Sequence, residues 1–178
     1  MAMLCSLFEN NRNNHFVVHI LTKDLSTDCI NKIERLCIRY NNSLKICNVD
    51  ETRLEGVQFR TKRPLSKAAY YRLLLSSLID KEVDRILYLD CDMIVLGDVA
   101  QLFSLDLNDY ALAATADYMP TNDQHRQQLN LEFGERTFCS GIMMVNLKYW
   151  REHNSEKKTY LILQRKHVIL SIYMIKMY

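Results

Sequence analysis

The sequence predicts an α/β domain, with a mainly parallel sheet, helices on both faces, and an incomplete set of elements. Three observations carry this. Short strand-like apolar runs alternate with helical stretches along the chain. The run Phe16-Val17-Val18-His19-Ile20-Leu21 is nearly continuous in apolar residues, the pattern of a strand buried on both faces. The 178 residues suffice for one domain with a sizeable core, and no repeat, low-complexity tract or linker divides them.

Taken in order, residues 1–12 have the pattern of a helix already under way, and residues 16–21 form the first strand. Ser26 is placed to cap a helix whose apolar positions Ile30, Ile33, Cys37 and Tyr40 recur at helical spacing. Leu44 to Val49 alternates as a strand, and the polar stretch 50–64, ending at Pro64, is expected to be a loop. Ser66 then caps a helix carrying Ala68, Ala69, Tyr71, Arg72, Leu73, Leu74 and Leu75. Further strands are expected over Arg85 to Asp90, Ala111 to Ala116 and Ile142 to Leu147, with a helix from about Lys148 anchored by Tyr149 and Trp150. In such sheets ligands sit beyond the carboxyl ends of the strands, where Asp90 and Asp92 fall.

Composition excludes some function classes. A formal charge of +2 gives no footprint for nucleic acid or membrane, and no apolar run reaches the ~20 residues needed to cross a bilayer. The opening Met1-Ala2-Met3-Leu4-Cys5-Ser6-Leu7-Phe8 lacks a basic region and a cleavage site, so the expected location is cytoplasmic. Cys5, Cys29, Cys37, Cys47, Cys91 and Cys139 show no Cys-x-x-Cys or zinc spacing, and are expected to be reduced thiols, four of them acting as small core residues. His15, His19, His125, His153 and His167 do not pair at metal-ligand spacing.

The chemistry centres on Asp90-Cys91-Asp92 at the end of an apolar strand. Two carboxylates two residues apart point the same way in extended geometry and would repel. A hard divalent cation such as Mn²⁺ or Mg²⁺ between them resolves that, with diphosphate oxygens completing its shell. Taken alone, the pattern also fits one aspartate capping a turn and the other solvated. It fits too the nucleophile motif of haloacid-dehalogenase-like phosphatases, although that motif normally lies near a chain start and is followed by a second acidic pair.

The surrounding residues narrow the choice. The segments Leu65-Ser66-Lys67-Ala68-Ala69-Tyr70-Tyr71-Arg72-Leu73, Arg85 to Val95, Gly97-Asp98, Leu102-Phe103, Leu112 to Asp117 and Phe138 to Arg151 together closely resemble glycosyltransferase family 8. This group includes bacterial lipopolysaccharide galactosyl- and glucosyltransferases, and the resemblance is strongest over residues 4–152, leaving 153–178 as an atypical tail. It implies a GT-A fold and a retaining transfer of glucose or galactose from a UDP-hexose to a glycan or lipopolysaccharide-type acceptor. Mn²⁺ or Mg²⁺ is the implied cofactor, held by Asp90 and Asp92. The resemblance further implies that the backbone at Cys91 approaches the ribose, that Arg72 contacts the donor, and that Ser140 and Gly141 let the hexose come close. Asp117 becomes the catalytic carboxylate near the acceptor. Lys67 is expected to be a solvated helix residue. No nucleic-acid partner is implied, and peripheral membrane association belongs to the full-length family.

Departures from the family pattern are also visible. The expected opening strand with its acidic uridine-binding segment is not found, Cys139 stands where many members have asparagine, and neither the Asp-Gln-Asp motif nor the C-terminal histidine follows Trp150. The tail from Gln164 to Tyr178 mixes apolar and basic residues without a clean period. These features give two expectations: a partial family 8 hexosyltransferase, or an inactive remnant acting at most as a weak nucleotide-sugar or protein-binding module. For this chain little or no transfer is expected.

Overall fold

The computed structural model describes residues 1–57, 66–117, 127 and 137–165. The end of the expected loop before Pro64, His125, His167 and the last thirteen residues of the tail lie outside them.

Helix α1 (Ala2–Glu9) buries Leu4, Leu7 and Phe8, and strand β1 (Val17–Thr22) follows. Ser26 accepts a hydrogen bond from the Cys29 amide and so starts α2 (Thr27–Arg39) as the sequence predicts. Strand β2 (Ser43–Asn48) pairs with β1 in parallel, Val17 opposite Ser43 through Thr22 opposite Asn48. A 3₁₀ turn at Glu51–Leu54 comes next.

The expected helix after Ser66 is a 3₁₀ helix, Lys67–Leu74, running into a short α3 (Leu75–Leu78). Ser66 holds the cap position without a side-chain cap bond. The tighter winding buries Tyr70, Tyr71, Leu73 and Leu74. Strands β3 (Arg85–Leu89), β4 (Leu112–Ala116) and β5 (Phe138–Asn146) form the second sheet. Helices α4 (Leu147–Glu152) and α5 (Ser155–Arg165) close the described chain.

The α/β class stands, but the pairing directions differ from a mainly parallel sheet. β5 lies between β3 and β4 and runs antiparallel to both. The run at 16–21 does lie in a parallel pair, whereas those at 85–90 and 142–147 belong to an antiparallel sheet that is covered on both faces, as parallel sheets are. On one face Leu87 and Leu89 pack with α1 and α2 through Leu4, Leu7, Phe8 and Cys37. On the other, Ile86 and Tyr88 pack with Leu75, Ile79, Met143, Val145, Leu147 and Trp150. Trp150 is the anchor expected of it, buried, with its indole N–H donating to the Ala111 carbonyl at 2.9 Å.

β5 also begins four residues earlier than expected, so Ser140 and Gly141 are strand residues. Burial corrects the cysteines as well. Only Cys37 is buried, Cys47 is half-buried, and Cys5, Cys29, Cys91 and Cys139 are exposed. Cys5 and Cys29 sit on the outer faces of amphipathic helices, where one substituted position does not alter the apolar stripe. Among the described residues no helix is long and apolar enough to cross a membrane.

Candidate active site

Asp90 follows the last residue of β3 and extends its ladder, the Asp90 amide donating to the Gly141 carbonyl at 2.8 Å. That bond sets Asp90 opposite Gly141, and cross-strand partners share a face of the sheet. The face is the one covered by the 3₁₀ helix and α3, so Arg72 reaches Asp90 from above.

Arg72 uses its whole guanidinium. Nε donates to the Ala69 carbonyl at 2.8 Å, Nη1 to the Ser140 carbonyl and hydroxyl at 2.6 and 3.2 Å, and Nη2 to Asp90 Oδ1 at 2.9 Å. Its side chain is 12% exposed, against 31% for Asp90. Sequence reasoning missed Tyr88, whose hydroxyl donates to the same Asp90 oxygen at 2.7 Å. The Arg72 guanidinium carbon lies 4.8 Å from the centre of the Tyr88 ring, within range of a cation–π contact. Burial pushes the Tyr88 hydroxyl well above the ordinary tyrosine range, so it stays a donor. Strand alternation was the signal available, since Tyr88 stands two residues before Asp90 on the same face.

The second carboxylate oxygen of Asp90 faces Gly141. A Cβ there would stand 3.0 Å from Asp90 Oδ2 and 3.7 Å from Cys139 Sγ. The missing side chain therefore leaves room beside the carboxylate, the close approach that glycine permits.

Arg72, Asp90, Ser140 and Gly141 are thus brought together, and the other expected residues lie around them. The chain turns at Cys91 and Asp92, both exposed, so strand alternation does not carry as far as Asp92. Asp117 sits at the end of β4, partly exposed, its amide donating to the Thr137 carbonyl at 2.8 Å. Because β3 and β4 run the same way on either side of β5, Asp90 and Asp117 share one end of the sheet. Their partners Gly141 and Thr137 are four residues apart along β5, which with two strand spacings puts the backbones on the order of 15 Å apart.

Lys67 is an exposed helix residue as expected, but its ammonium lies 3.4 Å from Glu51. The same carboxylate accepts from Tyr71 at 2.6 Å and Lys23 at 3.2 Å. Burial and the Glu51 bond push the Tyr71 hydroxyl up to about 12.

The donor set fits a hard divalent cation of modest demand. Asp90 keeps an oxygen beside the open Gly141 position, and Asp92 offers an exposed carboxylate. Among the described residues no three histidine, cysteine or acidic groups converge as a complete cage. Two carboxylates with the remaining positions left to phosphate oxygens and water is the usual arrangement for Mg²⁺ bound with a nucleotide.

Comparison with known proteins agrees with this architecture. The sequence model of glycosyl transferase family 8 matches residues 1–174. A lipopolysaccharide 1,2-glucosyltransferase of Escherichia coli is 28% identical over 167 residues, 93% of this chain and 49% of that protein. General stress protein A of Bacillus subtilis is 27% identical over 159 residues, 88% of this chain and 54% of its own length. The chain therefore spans about half the length of the curated relatives it matches. Among solved structures, the galactosyltransferase LgtC in complex with donor and acceptor sugar analogues superposes with a TM-score of 0.76 at 24% identity, covering 91% of this chain and 62% of LgtC. The bifunctional glycosyltransferase WbbM gives a TM-score of 0.76 at 20% identity, covering 92% of this chain and 31% of WbbM. At such identities the likeness is one of fold, the GT-A fold of glycosyltransferases.

Proposed function

Because the chain belongs to glycosyl transferase family 8, we propose that it is the donor-binding part of a retaining hexosyltransferase, moving glucose or galactose from a UDP-hexose to a glycan acceptor. The observation that carries this is Asp90, fixed by Arg72 and Tyr88 at the open end of the sheet with Gly141 leaving space against its second oxygen. Residues 1–178 act as one partial domain. An acceptor of lipopolysaccharide type fits the Escherichia coli relative, and the reaction would belong on the cytoplasmic side, with membrane association peripheral.

Asp90 and Asp92 would hold Mn²⁺ or Mg²⁺, which when bound neutralises charge on a departing nucleoside diphosphate. The protein's own groups bind and orient. Arg72, fixed at three of its nitrogens, presents a rigid cation to the donor, and the Cys91 backbone lies at the strand end where the ribose would pass. Ser140 and Gly141 admit the hexose, while Asp117, further along the same end, is the carboxylate for the acceptor side. Rate then comes from orientation and from fixed charge rather than from a strong base.

A second reading, a module that binds nucleotide sugar without transferring it, is favoured by the two-carboxylate donor set, which has no third protein ligand among the described residues. A thermal-shift panel of UDP-glucose, UDP-galactose and UDP, with and without Mn²⁺, tests the common ground of both. Stabilisation by UDP compounds only when Mn²⁺ is present supports it, and no shift with any of them overturns it. Release of UDP from either sugar then separates transferase from binding module.

A further inference from the structure

The run Asn10-Asn11-Arg12-Asn13-Asn14 takes no part in the site described above. Yet three of its amides reach the loop that follows Asp92. Asn10 Nδ2 donates to the Val95 carbonyl at 2.9 Å. Asn11 Nδ2 donates to the Gly97 carbonyl at 3.1 Å, and its Oδ1 accepts from the Val99 amide at 2.9 Å. Asn14 Nδ2 donates to Asp98 Oδ1 at 2.9 Å and to Asn11 Oδ1 at 3.2 Å. Within α1 itself, Ser6 Oγ accepts from the Val95 amide at 2.9 Å.

Asn11 is 4% exposed and has no hydrogen-bonding capacity left over. Its Nδ2 also donates to the Leu7 carbonyl at 2.8 Å, so both amide hydrogens and both oxygen lone pairs are engaged. A buried, fully satisfied amide is a rigid connector. Residues 93–99 form no helix or strand, and Val95 and Val99 pack into the cluster of Leu4, Leu7 and Phe8. Asp92 stands three residues before Val95, within about 11 Å of chain.

We propose that Asn11, supported by Asn10 and Ser6, is a positioning residue that fixes the 93–99 loop on α1 and thereby sets the Asp92 carboxylate toward a divalent cation. This rests on the reading of Asp92 as a metal ligand. Groups that hold a ligand in place commonly change metal affinity 10–100-fold when removed. A merely structural residue would lower stability and leave affinity per folded molecule unchanged.

The test titrates Mn²⁺ in the presence of UDP against the 178-residue protein, reading free Mn²⁺ by electron paramagnetic resonance, with amide hydrogen exchange at Val95 and Val99 alongside. Asn11→Ala is expected to weaken Mn²⁺ binding by up to about tenfold, the lower end of the effect of groups bonded directly to a metal ligand, and to speed exchange at Val99. Asn10→Ala combined with Ser6→Ala breaks the two bonds to Val95, together with the bonds these side chains make to the Met3 and Ser6 carbonyls of α1, and carries the test should Asn11→Ala not fold. Its expected result is a smaller loss in the same direction, with faster exchange at Val95. Arg151→Ala, whose lost bonds lie at the turn after α3 and reach neither Asp90 nor the 93–99 loop, is the control for lost stability and should bind as the wild type does. Wild-type affinity in a folded Asn11→Ala or double variant with quickened exchange overturns the proposal. Failure of the wild type to bind Mn²⁺ overturns the metal reading itself, a distinct result.

Discussion

Arg72 Nη2 stands 2.9 Å from Asp90 Oδ1, and the same guanidinium spans to the backbone and hydroxyl of Ser140. One side chain therefore ties the 3₁₀ helix to the ends of two neighbouring strands. Lysine cannot reproduce this fork. Arg72→Lys and Arg72→Ala should each lose about 1.5–3 kcal/mol of stability, the range for hydrogen bonds to charged groups. Urea denaturation measures that loss, and UDP titration should show weaker binding in both.

Gly141→Ala tests the space beside the carboxylate. The added Cβ would stand 3.0 Å from Asp90 Oδ2, in a carboxylate that Arg72 and Tyr88 hold in place through its other oxygen. An overpacking loss of about 1–3 kcal/mol is expected. Mn²⁺ affinity should fall with it, since the same oxygen is the one left for a metal.

Tyr71 gives a pH dependence with a defined sign. Its folded value is about 12, above the ordinary 10, because burial and the Glu51 bond favour the protonated hydroxyl. Stability from this group is full below pH 10 and is lost as pH rises toward 12. Tyr71→Phe should flatten the fall in urea midpoint across that window relative to the wild type. Part of the slope will remain, because Tyr88 is shifted the same way by its burial.

Arg151 makes a prediction about stability alone. It donates to the carbonyls of Ser76, Ile79, Asp80, Lys81 and Val83, gathering the turn after α3 onto α4. Arg151→Ala should destabilise by about 2 kcal/mol or more, read by thermal and urea unfolding. Mn²⁺ and UDP affinities measured on the folded variant should stay at wild-type values.

Much of the site was legible because its signals are local. The apolar strand ending at Asp90, the helical run holding Arg72 and the Ser140-Gly141 pair all follow from short-range pattern and family motif. Tyr88 was equally local but went unread, since a tyrosine in an apolar strand looks like core until its hydroxyl has a partner. What could not be read depends on distant contacts. Strand direction was hidden because helices cover both faces of β3 and β5. Gly141 fell just outside the expected strand, and its pairing with Asp90 makes it part of one. The asparagines after α1 look like a solvated helix end, and their partners lie more than eighty residues away.

In the proposed function Asp90 and Asp92 together hold a divalent cation against a nucleoside diphosphate. Calorimetric titration of UDP into the wild type, Asp90→Asn and Asp92→Asn, each with Mn²⁺ and with EDTA, tests it most directly. Wild-type binding is expected to be tighter with Mn²⁺ than with EDTA, and that advantage is expected to be lost in both variants. Equal UDP affinity with Mn²⁺ and EDTA, or an undiminished Mn²⁺ advantage in Asp92→Asn, would contradict it.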